Sequence, residues 1–163
     1  MILVTGATGN VGLQVVSGLL GAGTAVRALT LDPDSAGLPP GVDVVRGDLS
    51  VAGSLQAGLD GVETVFLVWP FITAEAAPAF VRAVSEGARR IVYLSSAGVR
   101  DDLKEQADPI STFHADVERV IAQSGLEWTV LRSGGMATNT LMWAEQIRTE
   151  GIVRWPYGAA PGR

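Results

Sequence analysis

Residues 1–12 read MILVTGATGNVG. Ile2, Leu3 and Val4 form a short apolar run of the kind found in a parallel strand covered on both faces. Gly6, Gly9 and Gly12 follow at three-residue spacing, and Val11, Val15, Val16, Leu19 and Leu20 then recur with a helical period. Strand, glycine turn and helix in direct succession predict a phosphate cradle. Glycine provides the unusual dihedrals of a tight turn and lets a pyrophosphate come close to the backbone, and the helix start offers N–H groups to it. On this reading Gly6, Thr8, Gly9, Asn10, Val11 and Gly12 hold the phosphates. A plain strand–turn–helix connection is the simpler alternative.

Further along, strand and helix patterns alternate. Ala25–Leu29 reads as a second strand leaving through Thr30-Leu31-Asp32-Pro33, and Val42–Arg46 as a third running into Gly47-Asp48-Leu49-Ser50. Ser50 suits a helix cap, with Leu55 and Leu59 on the buried side of a short helix. Val62–Val68 is a nearly all-apolar fourth strand closed by Trp69-Pro70. A helix over Thr73–Glu86 precedes a fifth strand, Arg90–Leu94, which ends in Ser95-Ser96-Ala97-Gly98. After the polar loop Val99–Pro109 come a helix over Ile110–Ser124, a sixth strand over Glu127–Arg132 and a last helix over Thr140–Glu150.

Six such alternations, with connections long enough for crossovers, predict an α/β chain of three layers: a parallel sheet of about six strands in the order 3-2-1-4-5-6 with helices on both faces, the Rossmann arrangement. Ligands in these sheets bind beyond the carboxyl ends of the strands where the order reverses. That rule gathers the glycine turn, Asp32, Asp48, Trp69 and Ser95 at one crevice. Asp32, about twenty residues past the glycines, stands where a carboxylate accepts hydrogen bonds from an adenosine ribose; the alternative is that Asp32-Pro33 only opens a turn. Asp48 and the Leu49 amide are placed to meet an adenine edge.

Bulk composition narrows the function classes. The 163 residues suit a single domain, 1–163, with an irregular tail over about 151–163. The net charge of −5 and a single lysine, Lys104, argue against nucleic acid or an anionic membrane as partner. There is no cysteine, so disulfides and thiolate chemistry are ruled out. One histidine with scattered carboxylates suggests no metal site. Neither a signal peptide nor a membrane span is legible, and a cytoplasmic location fits.

Taken together, the stretches ILVTGATGNVG, VRAL, VVRGDLS, VFLVWP, RRIVYLSSAGV, FHADVE, SGLEWTVLR and NTLMWAEQIRTEGIV resemble the NmrA-like group of atypical short-chain dehydrogenase/reductases, from Met1 to about Val153. The resemblance implies NAD(P) as cofactor, with Thr5 to Val11 around the pyrophosphate, Asp48 and Leu49 at adenine, Leu67 to Pro70, including Trp69, beside the cofactor, and Ser95-Ser96 near the nicotinamide. In that group the fold continues into a C-terminal lobe over the substrate, which this chain is expected to lack. Relatives often carry an arginine for the 2′-phosphate of NADP where this chain has Leu31. With Asp32 adjacent, the expectation leans toward NAD. Arg27 is an alternative partner for the 2′-phosphate, with a structural role the simpler reading.

The tyrosine and lysine that typical members space four residues apart on one helix, where lysine lowers the phenol's pKa for proton exchange, are missing. Ile110 and His114 align with those positions. His114 is expected at the cofactor, orienting it or donating a proton; with Glu118 it is also an i, i+4 pair that could be merely a helix-surface contact. Ser96 is a second catalytic candidate, with a turn role as its alternative, and the serine most used in extended relatives aligns with Ala97. Asn139 reads as a helix cap, Ser133 replaces a proline usual in the group, and Met136, Met142 and Trp143 read as packing. The resemblance thus implies an NAD(P)H-dependent oxidoreductase acting on a small carbonyl, quinone or polyketide-like compound. Two alternatives stand beside it: a non-catalytic dinucleotide sensor that binds a partner, and a cofactor-binding fragment completed by another chain or a second copy.

Overall fold

In a computed structural model, which describes residues 1–154, the strands are β1 (Ile2–Thr5), β2 (Val26–Thr30), β3 (Asp43–Arg46), β4 (Thr64–Val68), β5 (Arg90–Ser96) and β6 (Glu127–Ser133). They form one parallel sheet in the order β3-β2-β1-β4-β5-β6, as the alternating pattern predicts. Registers run Ile2 to Val26 and Thr64, Arg27 to Asp43, and Thr64 to Arg90. The order reverses between β1 and β4, so the carboxyl ends of these two strands flank the crevice that such a reversal creates. The helices are α1 (Asn10–Gly21), α2 (Gln56–Leu59), α3 (Ala77–Gly87), α4 (Pro109–Ala122) and α5 (Ala144–Glu150). The chain divides into two compact units, one over Met1–Arg132 and one from Ser133 onward. In the second, a 3-10 segment over Ala137–Trp143 leads into α5, so the helix read from Thr140 splits in two and Asn139 lies inside the first piece rather than capping it.

Alternation along the strands sends side chains to two apolar clusters. Leu3, Leu29, Val65, Leu67, Ile91 and Tyr93 pack against Phe80 and Val84 of α3 and Val117 and Ile121 of α4. On the opposite side Val4, Val26 and Ala28 meet Ala7 and Val16. β4 and β5, near the middle of the sheet, carry many fully buried residues. The outer strand β6 is mostly exposed, Trp128 and Leu131 included.

Helix starts explain where the boundaries read from sequence shift. α3 begins at Ala77 rather than Thr73 because Pro78 has no N–H to give an interior turn but fits the first one. α4 starts on Pro109 for the same reason, and the Asp108 carboxylate caps it by accepting from the Ser111 amide at 2.9 Å and the Ser111 hydroxyl at 2.7 Å. Ser50 caps no helix: its amide and hydroxyl both donate to Asp48 Oδ1, at 2.8 and 2.6 Å, and a 3-10 turn over Ala52–Ser54 intervenes before α2. Arg27, with a nearly buried side chain, reaches across from β2 to the end of α2. It donates to the carbonyls of Ala57, Gly58 and Asp60 and bonds Asp43 at 2.7 Å. Those bonds satisfy carbonyls that a helix end leaves without partners, so the structural reading of Arg27 holds.

Candidate nucleotide crevice

The turn between β1 and α1 is shaped by contacts that only glycine permits. Gly6 takes a φ of +59°, and a Cβ there would lie 2.9 Å from Val68 Cβ at the end of β4. A Cβ on Gly12 would lie 2.1 Å from the Gly6 carbonyl oxygen, so the first turn of α1 can rest on the loop only without a side chain. Gly9 is the N-cap. Its amide donates to the Gly6 carbonyl at 3.0 Å, and no side chain caps α1. The first amides of α1 therefore have no side-chain acceptor, and no acidic residue lies in the first turn. Gly6, Thr8, Gly9 and Asn10 are exposed, whereas Thr5, Ala7 and Gly12 are buried.

Thr5 holds the two flanking strands together. Its hydroxyl donates to the Val68 carbonyl at 2.9 Å and accepts from the Val68 amide at 2.8 Å. Immediately beyond, Pro70 is exposed but Trp69 turns inward, packing edge-on against Phe71 and Phe80 and donating its Nε1–H to the Thr73 carbonyl at 2.8 Å. What Trp69 presents to the crevice is main chain, not its indole.

At the ends of β2 and β3 the geometry is set by register. Thr30 pairs with Arg46, and Gly47 N–H donates to the Thr30 carbonyl at 2.9 Å. Asp32 is exposed and accepts from the Ser35 hydroxyl at 2.7 Å. Arg46, which the sequence reading passed over as a strand residue, donates to the Leu31 carbonyl at 2.6 Å and comes within 3.8 Å of Asp32 Oδ1. Only the pairing of β2 with β3 places it there; the signal lay in the register, not in any motif. Asp48 is held as a carboxylate, its pKa lowered by the hydroxyl and amide of Ser50. Leu49 is partly buried against the larger apolar cluster.

The far end of the crevice follows β5. Tyr93 and Ser95 share a strand face directed at α4. The Tyr93 hydroxyl and His114 Nδ1 are 2.5 Å apart, and Ser95 Oγ donates to Glu118 Oε1 at 2.5 Å. Burial pushes the Tyr93 phenol well above its ordinary range, and the neighbouring Glu118 charge adds to this. Burial also holds His114 below its usual value, Glu118 pulling the other way. A neutral phenol donating to Nδ1 leaves the imidazole proton on Nε2. Glu118 in turn receives Arg132, which also forks onto Asp101, and the Asp101 carboxylate is lowered as a result. Ser96 lies on the other strand face and accepts from the Gly98 amide at 3.1 Å, the turn role open to it in the sequence. Tyr157 lies outside the described residues.

Comparison with known proteins agrees with this geometry. The model of the NAD(P)H-binding family matches residues 6–150. The chain is 39% identical to a (4-alkanoyl-5-oxo-2,5-dihydrofuran-3-yl)methyl phosphate reductase of Streptomyces griseus, covering 99% of this chain and 57% of the relative. It is 32% identical to an NAD(P)H azoreductase of Xenophilus azovorans, covering 97% and 56%. The crystal structure of an NADPH-dependent quinone oxidoreductase from Escherichia coli superimposes with a TM-score of 0.74 at 27% identity, over 90% of this chain and 52% of that one. The chain thus spans little more than half the length of these proteins. With a Rossmann sheet, a glycine-shaped and uncapped helix start at its reversal point, and a family match running from the first glycine to the end of α5, the chain belongs to the NAD(P)H-binding family, within the NmrA-like atypical short-chain dehydrogenase/reductase superfamily.

Proposed function

We propose that this chain is the cofactor-binding part of an NAD(P)H-dependent reductase acting on a small carbonyl, quinone or related conjugated compound. The observation that carries the reading is the contact between Gly12 and the Gly6 carbonyl, which seats the uncapped start of α1 against the loop at the sheet's reversal point. A pyrophosphate fits there because Gly6, Thr8, Gly9 and Asn10 are exposed and the amides of α1 have no competing side chain. Asp32 would take the adenosine ribose hydroxyls, Asp48 and Leu49 the adenine, and the main chain of Trp69-Pro70 the middle of the cofactor. The names of the three relatives given above, each a reductase or oxidoreductase and two of them stated to use NAD(P)H or NADPH, support the reaction class.

The nicotinamide, when bound, supplies the hydride. The chain's own residues bind and orient. His114, held through Nδ1 by Tyr93, would keep its Nε2–H for a hydrogen bond to the cofactor or substrate, and Ser95 is fixed on Glu118. Titration of the chain with NADH and NADPH, followed by nicotinamide fluorescence, tests the reading. Saturable binding is expected, weakened several-fold in Gly9→Ala, whose Cβ would lie 3.3 Å from the Gly6 carbonyl oxygen. Equal binding by both proteins overturns the cradle assignment.

A dinucleotide sensor is the second reading, favoured by Ile110 and the Tyr93-bound His114 at the positions where typical members carry the tyrosine and lysine. NAD(P)H binding without oxidation across a panel of quinones and aldehydes would select it. Loss of turnover in His114→Ala would select the enzyme.

A further inference from the structure

Leu31 and Asp32 follow directly on β2, and the exposed Asp32 carboxylate is a negative charge that would oppose a 2′-phosphate there. The structure also supplies a cation. Register pairs Arg46 with Thr30, and its guanidinium lies over the β2 exit: Nη1 donates to the Leu31 carbonyl at 2.6 Å and Nη2 approaches Asp32 Oδ1 to 3.8 Å. The Arg46 side chain is 66% exposed, so its guanidinium is accessible from solvent at the β2 exit. A guanidinium has five N–H donors in a fixed fork, and the Leu31 carbonyl occupies only part of it. Asp32, meanwhile, is anchored away from free rotation by the Ser35 hydroxyl at 2.7 Å.

We infer that Arg46 is the specificity-determining residue of the adenosine-ribose pocket, compensating Asp32 and binding the 2′-phosphate of NADPH, so that the pocket accepts both phosphorylated and unphosphorylated dinucleotides. The inference rests on the cofactor site proposed above and adds to it the residue that reads the 2′ position. In NADH the Asp32 carboxylate faces two ribose hydroxyls and Arg46 stays on Leu31. In NADPH the phosphate meets the guanidinium, whose charge-assisted bonds outweigh repulsion from a carboxylate already tied to Ser35 and screened by the same arginine.

Dissociation constants for NADH and NADPH, measured by fluorescence on wild type, Arg46→Ala, Arg46→Lys and Asp32→Asn, test it. Loss of a charge-assisted contact is expected to weaken NADPH about tenfold or more in Arg46→Ala, with NADH changed by about twofold at most. Arg46→Lys keeps the charge without the fork and should fall between. Asp32→Asn should move the ratio the other way. Displacement of bound NADH supplies a readout free of the nicotinamide: 2′,5′-ADP should compete better than 5′-ADP on wild type and lose that advantage in Arg46→Ala. Added salt should weaken NADPH more than NADH on wild type alone. Equal loss of both cofactors in Arg46→Ala, or no loss of NADPH, overturns the assignment of Arg46 while leaving the site intact. Failure of wild type to bind either nucleotide overturns both.

Discussion

Gly12 and His114 illustrate two ways in which a single residue constrains the crevice. Because a Gly12 methyl would be driven into the Gly6 carbonyl, Gly12→Ala must displace α1 or the loop. Overpacking of this kind costs about 1–3 kcal/mol. The variant is therefore expected to show a lower urea midpoint and loss of NADH binding together, by denaturation and by titration. His114 acts through ionisation. Its pKa is lowered in the folded chain by burial, so the unfolded chain binds more protons as pH falls through the ordinary value of 6.5. Stability then rises with pH up to that value and is lost below it. Between about pH 7 and pH 5 the urea midpoint of wild type should fall more steeply than that of His114→Gln; parallel slopes would show that His114 is not buried as a neutral ring.

Among the elements, the strands were the easiest to read from sequence. Unbroken apolar runs such as Val65-Phe66-Leu67-Val68 and Ile91-Val92-Tyr93-Leu94 lie in the middle of a sheet with helices on both faces, and the order followed from alternation and right-handed crossovers. Helix starts were harder, because a helical period extends past its true start until proline and capping bonds are placed: Pro78 and Asp108 mark those starts, and Ser50 did not. Side-chain partners across elements were not legible at all. Tyr93 on His114, Ser95 on Glu118 and Arg46 on Leu31 depend on register and helix rotation, which no local pattern encodes. Arg27 is the case where an element depends on such a partner. α2 is only one turn long, and Arg27 supplies the donors for its end. Arg27→Met should lower stability by about 2 kcal/mol or more in urea, since several bonds to a charged donor are lost. The NADPH-to-NADH affinity ratio should stay unchanged, which separates Arg27 from Arg46.

For the molecule as a whole, the parallel sheet sends its strand exits to one edge, so a dinucleotide bound there would bridge segments far apart in sequence. Binding should stabilise the fold by linkage, about 2.7 kcal/mol at a hundredfold excess over the dissociation constant, seen as a higher melting temperature. Hydrogen exchange should slow together at residues 6–12, 31–35, 46–49 and 68–70, and stay unchanged at the opposite edge, where Arg89 and Arg90 meet Glu63 and Glu127. Protection confined to the glycine turn would mean that only a phosphate, and not a whole dinucleotide, is held. The bond from Thr5 to Val68 gives this edge a further property. The register between β1 and β4 ends at Val4 and Phe66, and past that rung one hydroxyl bridges the two strands with two hydrogen bonds. Replacing Thr5 by valine, equal in shape but without that oxygen, would remove both bonds and leave the ends of β1 and β4 free to part beside the proposed cofactor site.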